Sequence, residues 1–265
     1  MGLDPAQAAV QRGLRNPELM AAALALFEGR LHDAEPVLKA HLKRDPFDVA
    51  AIRMLAELAA RIERYRDAEA LLRRALDLAP DFLAARSNLA TVLHRQGRSG
   101  EAIDELDKLQ QADPGNLTNA NLKAAALGRV GEFDEALELY EQVLQSFGKQ
   151  PKIWMSYGHM LKTVGRQADA VAAYRKALDL NPALGEVWWS LANLKTLQFA
   201  DDDLSAMQAA IDRSDISAED RFHLHFALGK AHEDRRQAET AFSHYDRGNA
   251  LRKALLDYDA DQTRA

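Results

Sequence analysis

No cysteine occurs among the 265 residues, so disulfides, thiolate metal sites and a cysteine nucleophile are all excluded. Aromatic residues are scarce, at 7%, while alanine is abundant; a core built from such a chain must bring helices together through small side chains. Neither charge sign dominates: 34 basic residues against 40 acidic ones leave a formal charge of −6, with both signs interspersed. There is therefore no basic field to draw in a nucleic acid. No apolar run is long enough to span a bilayer, and Met1 to Arg15 lacks the basic start and apolar run of a secretory signal; the expected location is the cytoplasm, with no membrane partner. The available glycine pairs come without the strand, lysine or serine of a phosphate-binding loop. No catalytic residue, metal or cofactor is assigned, and the chain reads as a non-enzyme.

What the sequence does contain is a period. Pro46, Pro80 and Pro114 stand 34 residues apart, the next step falls on Gly148, and the one after on Pro182. Between these marks, apolar and small residues recur at helical spacing twice per period, so each period predicts a pair of helices. The prolines close the second helix, because inside it a proline would lose a hydrogen bond and clash with the preceding turn. Gly148 closes the fourth period, where a glycine can end a helix in the left-handed conformation.

Taken in order, residues 1–14 predict a capping helix from Leu3 to Leu14, and residues 15–184 hold five regular repeats beginning at Arg15, Val49, Leu83, Leu117 and Pro151. Residues 185–265 hold an irregular sixth repeat, a seventh, and an extended last helix, roughly Ala238 to Asp257. The sixth begins in frame with Trp188, Leu191 and Ala192 and breaks at Phe199 to Asp203. A short helix is expected from Leu204 to Arg213, started by the acidic run. From Ala218 onward Leu228, Gly229, Ala241 and Tyr245 restore the frame, with Ser217 and Asp220 in capping-box spacing.

The clearest copy, PKIWMSYGHMLKTVGRQADAVAAYRKALDLNP from Pro151 to Pro182, resembles the tetratricopeptide repeat (TPR) at Trp154, Tyr157, Gly158, Leu161, Ala170, Tyr174, Ala177 and Pro182. The resemblance implies an all-α fold, a right-handed α-solenoid of helix-turn-helix repeats. Such arrays act as protein-interaction scaffolds, holding an extended peptide or protein segment in a concave groove lined by first helices. Frame positions two, five, nine and twelve then nominate Arg53, Glu57, Ser87, Thr91, His94 and Asn121 in the earlier repeats. In the later ones they nominate Lys152, Met155, His159, Lys162, Glu186, Trp189, Asn193 and Thr196. Amides there can hold a peptide backbone, Trp189 offers an aromatic anchor, and Arg53, Lys152 and Lys162 would attract carboxylates. The clamp that TPR proteins use on chaperone C-termini is not matched, since Glu57 stands where an asparagine is required.

The last third, in Trp188 to Leu197, Ser217 to Lys230 and Phe242 to Asp261, resembles the segment that joins TPR arrays to a sulfotransferase domain in bacterial TPR-linked sulfotransferases. That resemblance implies an alternative role as the substrate-recognition arm of such an enzyme. The phosphate-cradling loop that grips the sulfuryl donor in that family is absent from these residues. His225 and His232, at frame positions four and eleven, are expected on a packed face, and His223 points to a different side of the helix from His225, so these are expected to be core or surface histidines rather than metal ligands. Trp154, Trp188, Tyr157, Tyr174 and Tyr245 are expected in the core. The oligomeric expectation is a monomer, or weak self-association through the ends of the array.

Overall fold

A computed structural model describes residues 16–255; the expected cap at Leu3 to Leu14 lies outside them, as does the chain beyond residue 255. Among the described residues there are fourteen α-helices and no strand. The first seven are α1 (Pro17–Phe27), α2 (Leu31–Arg44), α3 (Val49–Arg61), α4 (Tyr65–Leu78), α5 (Leu83–Arg95), α6 (Ser99–Ala112) and α7 (Leu117–Val130). They are followed by α8 (Phe133–Phe147), α9 (Pro151–Thr163), α10 (Gln167–Leu180), α11 (Gly185–Ala192), α12 (Asp201–Ile211), α13 (Ala218–Asp234) and α14 (Ala238–Leu255). The chain divides into two compact units between Leu139 and Tyr140.

Each helix boundary has a local cause. Helices α2, α4, α6 and α10 stop two residues before Pro46, Pro80, Pro114 and Pro182, as the missing N–H of proline requires. Two first helices start on side-chain caps: at α3 Asp48 accepts from the N–H groups of Ala50 and Ala51 at 3.0 and 3.1 Å, and at α7 Asn116 accepts from that of Asn119 at 3.2 Å, whereas α5, α9 and α11 have no such cap. Between the two helices of a hairpin the chain turns through one left-handed residue, Gly29, Gly97, Gly131 or Gly165, with φ from 76° to 95°. Glycine suits that position because a β-carbon there crowds the backbone. Glu63 and Arg236 adopt the same conformation at φ 60° without that advantage. Gly148 does not: its φ is not left-handed, so α8 ends without the expected glycine cap. Pro36 sits inside α2, in its second turn, where its ring is exposed to solvent.

The core is made of small residues facing large ones. Ala22, Ala56, Ala90 and Ala124 of first helices are buried, as are Ala34, Ala68, Ala102 and Ala170 of second helices. Leu38, Leu72, Leu106 and Tyr174 occupy one repeated position on the second helices and are essentially inaccessible. Tyr140 holds the same position opposite Ala124, but opposite Tyr174 and Tyr245 the facing helix carries a glycine. A methyl group on Gly158 would lie 2.6 Å from the Tyr174 ring, and one on Gly229 would lie 2.6 Å from that of Tyr245. Trp188 and Tyr174 are buried as expected, whereas Trp154, Tyr157 and Tyr245 are only half-buried.

The first unit is also stitched by ion pairs that join successive hairpins. Glu69 on α4 receives Arg98 at 2.7 Å, Arg73 at 2.9 Å and the Gln96 amide at 3.0 Å. Burial pushes its carboxyl up, but these donors win and hold it at about 2. Lys123 of α7 crosses to Asp107 of α6 at 2.8 Å, and within the α5–α6 hairpin Arg86 meets Glu105 at 2.5 Å.

The second unit contains the irregular hairpin. Helix α11 is eight residues long against thirteen in α9. The left-handed residue comes at Lys195, φ 58°, and position 199, where the turn glycine stands in four earlier repeats, is a phenylalanine. Phe199 turns inward and packs on Trp188 at 5.9 Å between ring centroids. Arg175 of α10 lies 5.7 Å over the same indole and forks onto Asp203 at 2.5 and 2.9 Å. Helix α12 therefore starts at Asp201, with Asp203 reaching back to the N–H of Ala200 at 3.1 Å. The acidic run lies inside this helix, three residues earlier than its expected start.

Candidate peptide-binding faces of the first helices

In the first unit α1, α3, α5 and α7 lie side by side and present one continuous face. Arg53 and Glu57 reach it, but paired with each other at 3.0 Å, and Glu57 also accepts from Arg61 at 2.7 Å. The i, i+4 spacing of the three residues on one helix makes this ladder, and it removes Arg53 as a free cation. Ser87 donates to the side-chain Oδ1 of Asn119 at 2.8 Å, and Thr91 donates to the Ser87 backbone carbonyl at 3.0 Å. Burial lowers the pKa of His94, whose Nδ1 is 3.4 Å from the Ser99 hydroxyl. Asn121 is different, because its Oδ1 is buried with no hydrogen-bond partner. Between α3 and α5 a cavity of about 390 Å³ opens over Tyr65 and Leu72, with Glu57 and Thr91 on its walls. Asn88 and Arg95 also line it, and no described residue pairs with either.

In the second unit the corresponding face comes from α9, α11 and α13. His159 links its neighbours: Nδ1 is 2.8 Å from the Tyr174 hydroxyl and Nε2 is 3.5 Å from Glu186. The hydrogen bond from His159 holds the Glu186 carboxyl below the usual range, and Lys152 adds to the effect. Trp189 stacks at a tilt on Phe226, 5.6 Å between centroids, and Phe226 in turn meets Phe222 at 5.9 Å. Lys152 and Lys162 are exposed, and Met155 is half-buried. Asn193 and Thr196 fall outside α11, which has already ended, so the sixth repeat presents only Glu186 and Trp189 on a first helix.

A match to the family model described as "Tetratricopeptide repeat" covers residues 19–81, 53–116 and 121–192. The chain belongs to the tetratricopeptide repeat family. Among solved structures this TPR chain is similar to MamA of AMB-1, at 23% identity and a TM-score of 0.56 over 63% of this chain and 98% of that one. It is also similar to YrrB, described as a TPR protein with an unusual peptide-binding site, at 18% identity and a TM-score of 0.55, over 73% and 99%. A MamA from Desulfovibrio magneticus RS-1 aligns at 17% identity and a TM-score of 0.55, over 67% and 96%. These are likenesses of fold. No curated protein matches the chain.

Sequence reasoning missed the seventh repeat's share of the face. Gly229 and Tyr245 fix that repeat's phase with residue 222 as its first, which puts His223 and Phe226 at positions two and five. Burial lowers the His223 pKa, and its Nδ1 is enclosed without a partner. His225 is buried behind the face, with Nδ1 3.0 Å from Nδ1 of His244, so one ring must be protonated there and donate to the other. Stacking of His232 on His244 completes the cluster. Among the described residues, His41, Asp45 and Asp48 could together surround a cation. Asp48 is already committed there, capping α3 with one oxygen and meeting His41 at 3.0 Å with the other. No described helix is long and apolar enough to cross a membrane.

Proposed function

We propose that this TPR protein is an interaction scaffold that holds an extended peptide or protein segment against its first helices, in the concave groove of the array. The observation that carries the reading is the location of Asn121 Oδ1 and His223 Nδ1, two enclosed side-chain atoms with no partner among the described residues. Buried polar atoms are normally hydrogen-bonded, and leaving one unpaired costs about 1–3 kcal/mol. Both side chains are half-buried at frame positions of first helices, one in each unit, and a turn of either about its last torsion would bring the enclosed atom within reach of a bound backbone. The cavity beside Asn88 and the tilted Trp189–Phe226 pair offer places for side chains. Lys152 and Lys162 favour acidic ligands, and YrrB sets a precedent for peptide binding on this fold. We place the scaffold in the cytoplasm of a bacterium, as a monomer or with weak self-association through the ends of the array.

Panning a display library of short peptides on the full chain tests this reading. Selected peptides should lose binding at least tenfold to the variants Asn121→Ala, His223→Ala, Lys162→Ala and Trp189→Ala. Retention of full affinity by all four would remove these faces as the site. A second reading, the recognition arm of a TPR-linked sulfotransferase, is favoured by the last helix, where Phe242 is 72% and Leu255 54% exposed. Such side chains would suit contact with a neighbouring domain. Reading the gene past the codon for Ala265 decides it: an in-frame phosphate loop supports this reading, and an immediate stop defeats it.

A further inference from the structure

Trp154 and Trp188 hold the same place in successive repeats. Each indole N–H donates to a carbonyl six residues upstream, Gly148 at 2.8 Å and Pro182 at 2.9 Å. Their surroundings differ. Trp188 is 3% exposed, beneath Phe199 and Arg175. Trp154 is half-buried, and a cavity of about 580 Å³ opens beside it between α8 and α10, bounded by Tyr157, Leu144 and Ala172. The volume falls within the ordinary range of ligand sites. The physical cause is position 165, a glycine in the turn, where the next repeat has Phe199.

The covered tryptophan shows what fits over such an indole in this chain, a phenylalanine followed four residues later by a charged residue. Asp203 is that residue, and it meets Arg175. At the open cleft the equivalent of Arg175 is Glu141, an exposed carboxylate that accepts from the Tyr157 hydroxyl at 2.7 Å. No described basic side chain pairs with Glu141. Arg166 on the rim is engaged with Asp169 at 2.7 Å. We infer that the Trp154–Tyr157 cleft receives a phenylalanine-like side chain from a segment of another protein, which carries a basic residue four positions later to meet Glu141. The cleft opens between the second helices α8 and α10 and is walled by Trp154 and Tyr157 of α9, residues outside the nominated first-helix faces, so this site is separate from those faces and does not depend on them.

The probe is a dye-labelled peptide copying residues 196–206 of this chain with Asp203→Lys, compared with the unaltered peptide by fluorescence polarisation on the full-length protein. The altered peptide should bind the wild type at least fivefold more tightly than the unaltered one, and Glu141→Arg should reverse that order. Ala172→Phe, a change at an exposed position that fills the cleft, should abolish binding of both while leaving helical circular dichroism and first-helix ligands unaffected. Three results would each overturn the proposal: no binding of the altered peptide at millimolar concentration, equal affinities in wild type and Glu141→Arg, or binding indifferent to Ala172→Phe. Sedimentation showing a wild-type dimer that Ala172→Phe dissociates would assign the cleft to a second copy, and would equally overturn it.

Discussion

Hairpins α9–α10 and α11–α12 begin alike, each with a tryptophan at the fourth position bonded to an upstream carbonyl, and then diverge at one turn residue. Gly165 lets α9 run its full length, and α10 then packs back on it with Tyr174 against Gly158. In the next hairpin Lys195 takes the left-handed conformation early, α11 stops after eight residues, and Phe199 becomes a core side chain. The repeat period therefore depends on what the turn can adopt as much as on the apolar rows. A large apolar residue at the turn is better buried than exposed, and the helix gives way to bury it.

The largest test of that contrast removes the side chain that created it. Phe199→Ala should destabilise the second unit by about 3 kcal/mol, read in urea unfolding, and should expose Trp188 to quenching by acrylamide. A loss below about 0.5 kcal/mol would mean that Phe199 merely follows the irregular turn. Giving the regular hairpin an obstruction comes next. Gly158→Val would drive a side chain into the Tyr174 ring and should cost about 2 kcal/mol, with a lowered Tm as the readout. Smaller still are the turn residues themselves. Gly165→Ala, at φ 82°, should lose about 1 kcal/mol, and Lys195→Gly should gain a few tenths to about 1 kcal/mol. A gain in both would show that φ is not what separates the hairpins.

Acidification should separate the two units by the pH at which each weakens. Burial, with neighbouring His225 and His232, lowers His244 to about 4 from an ordinary value of 6.5. Its neutral form is the one the fold accepts, so stability is lost as pH falls from 6.5 towards 4. Arg247, His225 and His232 all oppose the added proton. Glu69 in the first unit is held at about 2, and its contribution is present above the ordinary carboxylate value of 4.5 and lost as pH falls towards 2. Hydrogen exchange at stepped pH should therefore open α13 and α14 before α4 and α6, and the reverse order would contradict both assignments.

Much of this was legible in the letters. The spacing of Pro46, Pro80 and Pro114 gave helix ends to within two residues, because proline acts through local covalent geometry, and the alanine positions gave the buried rows. The sixth repeat resisted because the competition between Phe199 exposed and Phe199 buried is decided by Trp188 and Arg175, contacts that no local pattern encodes. Gly148 misled because glycine permits a left-handed turn without requiring one. At the candidate faces, position along the frame nominated Arg53 and Glu57 but could not say that they would satisfy each other. The i, i+4 spacing was the available signal. His223 and Phe226 stand at positions two and five of the frame that Gly229 and Tyr245 restore, but the enclosure of His223 Nδ1 and the stacking of Phe226 on Trp189 depend on packing between repeats that the frame does not encode.

The left-handed turns at residues 29, 63, 97, 131 and 165 recur every 34 residues, which bears on how the gene can change length. Losing or duplicating one complete period between two such turns rejoins a left-handed residue to the helix it already precedes, so every surviving hairpin keeps its neighbours' shape. A deletion of one codon within a helix instead rotates everything downstream in that helix by about 100°, carrying buried alanines towards water. Replication slippage that respects the period should thus be tolerated by the fold, whereas the smaller slip should cost it buried surface.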